Sequence, residues 1–75
     1  MDFSFDIIAN VLHIRFSHEN VVDSDDIVES VIVDYIKEGR IMGIEVLNFK
    51  QRKLDLNDLI ELDVEEIIPK LVHCQ

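Results

Sequence analysis

The sequence predicts an α+β domain: a four-stranded, mainly antiparallel sheet made of two hairpins, followed by one or two C-terminal helices, in the order ββββαα. Three patterns predict it. Apolar and polar residues alternate with period two in two blocks between residues 2 and 47. A Glu38-Gly39 pair separates two β-branched runs. After Leu47 the apolar spacing becomes helical, within 54–73. Period two buries one face of a strand, and a spacing of three and four buries one stripe of a helix.

In the first hairpin Phe3, Phe5 and Ile7 alternate with Asp2, Ser4 and Asp6, and Leu12, Ile14 and Phe16 alternate with His13 and Arg15. A loop at Ile8-Ala9-Asn10-Val11 pairs Ile7 with Leu12, Phe5 with Ile14 and Phe3 with Phe16. All the large apolar groups then share one face, and a one-residue slip would expose half of them. His18 to Asp26 is polar and acidic and reads as a connection. In the second hairpin a two-residue turn at Glu38-Gly39 pairs Tyr35 with Met42, Val33 with Ile44 and Val31 with Val46. Gly39 suits the positive φ of such a turn. On the reverse face Ile36 then opposes Ile41, Ile32 opposes Glu45 and Asp34 opposes Gly43. Ile32, Ile36 and Ile41, with Glu45 beside them, form an apolar patch that another surface is expected to cover.

The tail begins with a short helix that Asp55 caps. Asp63 and Glu66 fit a capping box, and Leu62 and Ile67 the accompanying hydrophobic staple. Val64, Ile67, Ile68, Leu71 and Val72 make one stripe, expected to pack on the sheet. Pro69 cannot bond the carbonyl of Glu65 and is expected to kink or end the helix.

With 75 residues, the chain is read as one small domain over 1–75. A chain of this size buries only roughly 60% of its unfolded surface, so a partner subunit is a common source of added stability. Sixteen acidic against seven basic residues give a net charge of −9. That sign disfavours phosphate backbones, so no nucleic acid is expected, and no apolar run approaches the roughly 20 residues of a membrane span. Cys74 stands alone, which with the absence of a leader segment points to a reducing, cytoplasmic setting.

The chemistry-bearing motifs are sparse. Asp23-Ser24-Asp25-Asp26 lacks the glycine of an EF-hand loop, since Val28 stands in its place. His13, His18, His73 and Cys74 show no zinc-ligand spacing, so neither metal nor cofactor is expected. Lys50 to Lys53 is a short basic run that reads as a solvated loop. Asp6 and His13 face each other across the polar face of the first hairpin, with Arg15 two residues along, and the three are the one candidate polar site, although no nucleophile accompanies them.

Phe5-Asp6, Leu12-His13-Ile14-Arg15-Phe16, Val31-Ile32-Val33-Asp34-Tyr35, Gly39-Arg40 and Met42-Gly43-Ile44-Glu45-Val46-Leu47 together resemble the small prokaryotic proteins of domain-of-unknown-function family 2283. The resemblance covers about residues 3 to 53. Two departures from it stand out: Ile8-Ala9-Asn10 replaces an acidic loop, and His13 replaces a tyrosine. The resemblance implies a small cytoplasmic protein with no assigned activity, and for some relatives a suspected antitoxin-like role beside a toxin partner. Three functions follow as expectations. The first is a non-catalytic interaction or structural module, homo-oligomeric and by preference dimeric through the isoleucine face. The second is an acidic antitoxin-like partner of a basic toxin protein. The third is an enzyme or metal-binding protein using Asp6, His13 and Arg15.

Overall fold

The computed structural model describes residues 2–52 and 54–73, with the Val64 side chain outside that description. Three expectations fall partly or wholly outside it: the reading of Cys74, the Lys53 end of the basic run and the place of Val64 in the helical stripe. The sheet has five strands rather than four: β1 (Asp2–Asp6), β2 (Val11–Arg15), β3 (Asp23–Val28), β4 (Val31–Tyr35) and β5 (Ile41–Leu47). All pairings are antiparallel, in the spatial order β1-β2-β5-β4-β3. The meander β3-β4-β5 therefore lies against β2 in a Greek-key arrangement, and residues 16–22 cross the ends of β5 and β4. Helices α1 (Leu56–Ile60) and α2 (Val64–His73) follow.

The added strand is β3, in the segment expected to be a connection. Asp and Ser have low strand propensity, but β4 offers an unpaired edge, and backbone bonding there overrides propensity. The β3–β4 pairing runs from Asp23↔Tyr35 to Val28↔Val31, with a bulge that leaves Ile27 as the extra residue.

The first hairpin keeps the expected face but not the expected register. Phe5 pairs with Leu12 and Phe3 with Ile14, two residues along from the prediction. A shift of two preserves which side each residue faces, so the apolar set survives it. Side-chain chemistry places the loop at residues 7–10: the Asp6 carboxylate accepts from the N–H groups of Ile8 and Ala9, both at 3.0 Å. Asn10 takes the left-handed conformation, φ 58°. Ile7 and Ile8 consequently stand out at the turn, 70% and 95% exposed.

In the second hairpin Val31↔Val46 and Val33↔Ile44 pair as expected, but the turn is longer. The Ile36 N–H donates to the Arg40 carbonyl at 2.8 Å, enclosing a helical turn at Lys37–Gly39 in which Glu38 and Gly39 have φ 73° and 77°. The longer turn leaves Met42 as an extra residue, so Tyr35 meets Ile41 instead. That single bulge, on β5, brings Ile41 to the core side beside Tyr35, which keeps its expected face.

One face of the sheet carries the core. Leu12, Ile14, Val31, Val33, Ile44 and Val46 pack with Leu59 of α1 and with Ile67 and Leu71 of α2, all 2% exposed or less. Of the expected helical stripe, Ile67 and Leu71 pack on the sheet with Ile68 partly buried beside them, and burying each such core side chain contributes about 1.5–3 kcal/mol. Asp55 caps α1 by accepting from the Asn57 N–H at 2.9 Å, and the Glu66 carboxylate accepts from the Asp63 N–H at 3.2 Å. Pro69 does not end α2 early, since the helix continues to His73. Arg52 fastens the tail to the sheet by donating to the carbonyls of Leu47 at 3.2 Å and Glu29 at 2.8 Å. Among the described residues no helix is long and apolar enough to cross a membrane.

Candidate functional site

The sheet has a second, helix-free face, and the register sets out its side chains in rows. One row runs Ser4, His13, Glu45, Ile32, Asp26; the next runs Asp2, Arg15, Gly43, Asp34, Ser24. Gly43 has no side chain opposite Asp34, and among the described residues Asp34 is the one buried charged group, 9% exposed. The Ser24 hydroxyl donates to its carboxylate at 2.6 Å. Glu45 lies diagonally beside it, and His13 Nδ1 stands 3.9 Å from Glu45 Oε1. Burial pushes the Glu45 carboxyl above its ordinary value, hydrogen bonding to Asp34 and repulsion from it push the same way, and His13 opposes them.

The sequence-predicted polar trio is only partly assembled. Asp6 pairs with Val11, not with His13, and its carboxylate is committed to the turn. His13 faces Ser4 on one side and Glu45 on the other. His13 and Arg15 do line one shallow depression with Asp2 and Ser4, of about 240 Å³. The groups that do adjoin on this face are Ser24, Asp34, Glu45 and His13, joined by the Ser24–Asp34 hydrogen bond, with His13 3.9 Å from Glu45. Asp34 was readable from the sequence, because the register already set it against Gly43.

The isoleucine patch is not assembled either. Ile32 stays on the open face between Glu45 and Asp26. Ile36 is buried, 2% exposed, at the hairpin end beside Val22 and Tyr35. Ile41, carried across by the Met42 bulge, packs against the core instead. There it lines an open groove of about 560 Å³ between α2 and the end of the sheet, with Phe16, Ile68 and Pro69. Arg40 and Glu65 stand at its rim. Sequence reasoning missed this groove because it gathers Phe16, Ile41 and Ile68 from distant parts of the chain, and because the bulge at Met42 carries Ile41 to that side.

Among the described residues, no group of three or more His, Cys, Asp or Glu side chains converges as metal ligands would. No curated protein and no solved structure matches the chain. The model of one family, described as "Protein of unknown function (DUF2283)", matches residues 3–50, which span all five strands and stop before the two helices. The chain belongs to the DUF2283 family.

Proposed function

We propose that this protein is a non-catalytic interaction module that forms a homodimer through the groove between α2 and the sheet. The observation that carries the reading is the composition of that groove: Phe16, Ile41, Ile68 and Pro69 within, one cation and one anion at the rim. A two-fold contact is self-complementary, so Arg40 of each copy can meet Glu65 of the other while the apolar floors close together. Arg40 is available for this, as its intramolecular partner Glu19 is exposed and 3.4 Å away. The small core gives such a contact something to stabilise.

Sedimentation velocity at roughly 10–100 µM, the range that detects modest affinities, reads the outcome. The parent chain is expected as a dimer. Arg40→Glu and Glu65→Arg are each expected to weaken it, and the double exchange to restore it. A monomer throughout that range, or a double exchange no better than either single one, would overturn the reading.

A further inference from the structure

We infer that the free edge of β1 is a docking site for one extended strand of another polypeptide, with Lys or Arg at the two positions opposite Asp2 and Asp6. Among the described residues β1 has β2 on one side and no strand on the other. Backbone direction alternates along a ladder, and two bonds fix the phase here: Phe16 N–H to the Met42 carbonyl at 2.7 Å, and Leu47 N–H to the Ser30 carbonyl at 2.8 Å. Even-numbered β2 residues therefore bond β5, and His13, opposite Ser4, bonds β1. It follows that the N–H and C=O groups of Phe3 and Phe5 point outward from the edge.

The two edges of the sheet are not alike. Edge β3 carries Asp23, Asp25 and Asp26 together with a bulge, devices that block further pairing. Edge β1 pairs without a bulge over its whole length, and both side chains on its core-facing phase are phenylalanines. Phe5 remains 37% exposed with Phe49 against it, ring centroids 5.8 Å apart. An added strand would set apolar residues opposite Phe3 and Phe5, continuing the core, and its intervening residues beside Asp2 and Asp6. This is strand addition, in which the backbone supplies affinity and alternate side chains supply specificity.

Charge decides the occupant. A second copy pairing β1 to β1 with Phe3 bonded to Phe5 would set Asp2 directly opposite Asp6 twice, between chains of net charge −9. A basic strand turns both contacts attractive. Asp6 stays exposed and able to make one even while it holds the loop.

The test uses the full chain and a capped peptide with the core sequence Lys-Val-Thr-Val-Lys, titrated to about 1 mM, alongside a peptide with Glu for Lys. Amide hydrogen exchange and NMR shifts give the readout. The Lys peptide is expected to slow exchange at Phe3 and Phe5 and to bind on the order of tenfold more tightly than the Glu peptide. Asp2→Asn is expected to reduce that preference while leaving the fold intact. Binding that leaves Phe3 and Phe5 unprotected, equal binding of both peptides, or protection of both amides before any peptide is added would each overturn the inference. None of these outcomes touches the groove, so the dimer reading stands or falls separately.

Discussion

Replacing Gly43 with alanine tests the packing of the sheet where it is tightest. Glycine to alanine in a strand normally stabilises by about 0.4–1 kcal/mol, because the unfolded chain loses freedom. Here a Cβ would lie 2.6 Å from the Ile14 carbonyl oxygen and 3.6 Å from the Arg15 Cα. Carbon and oxygen pack at about 3.3 Å or more, so the contact is short by about 0.7 Å. The obstacle is backbone at the β2–β5 junction, and neither strand can yield without stretching its ladder, including the 2.7 Å bond from Phe16 to Met42. Overpacking of this kind costs about 1–3 kcal/mol, leaving a net loss of about 1–2 kcal/mol. For a chain of this size that lowers Tm by roughly 5–15 °C. Thermal and urea unfolding followed by circular dichroism give the value. Gly39→Asn is the control, because φ is +77° there, nothing lies within 4 Å, and Asn tolerates that conformation. A Gly43→Ala chain as stable as the parent would refute the reasoning and show that the two strands can move apart.

Three further outcomes follow from the same geometry. The folded chain holds the Glu45 proton more tightly than the unfolded chain does, so stability is expected to fall as pH rises through the window just above the ordinary glutamate pKa. Glu45→Gln should flatten that part of the profile and leave the variant more stable than the parent at neutral pH; an unchanged slope in pH-dependent urea midpoints would contradict it. Leu71→Ala removes a side chain with no exposed surface between α2 and the sheet, and is expected to cost about 2–5 kcal/mol in urea unfolding. Arg52→Ala strips the carbonyls of Leu47 and Glu29 of their donor and is expected to cost about 1–3 kcal/mol, with faster hydrogen exchange at the β3–β4 turn.

The candidate groups divide along the same line as the fold. That Glu45 opposes Ile32 and Asp34 opposes Gly43 follows from counting back from Val33↔Ile44, and both pairs are as expected. The Asp6–His13 pairing failed because it depended on loop length. Asp6 and Asn10 hold the turn by side-chain bonds that alternation does not register. The isoleucine patch failed at Met42, a bulge created by the Ile36–Arg40 closure. There Ile41 exchanged its face, while Tyr35 kept its own.

Sequence alone determined the local quantities: which residues of β1, β2, β4 and of β5 from Gly43 onward share a side, where the helices cap at Asp55 and Asp63, and the membership carried by residues 3–50. These rest on period and on side chains a few positions apart, interactions that act before any long-range contact exists. Tertiary structure decided that an acidic stretch would become β3, that β2 would lie beside β5, and that Phe16, Ile41 and Ile68 would line one groove. Those outcomes turn on competition among distant backbone partners for a limited number of sheet edges. No local pattern encodes the result of that competition, because it depends on which edges the rest of the chain leaves unpaired.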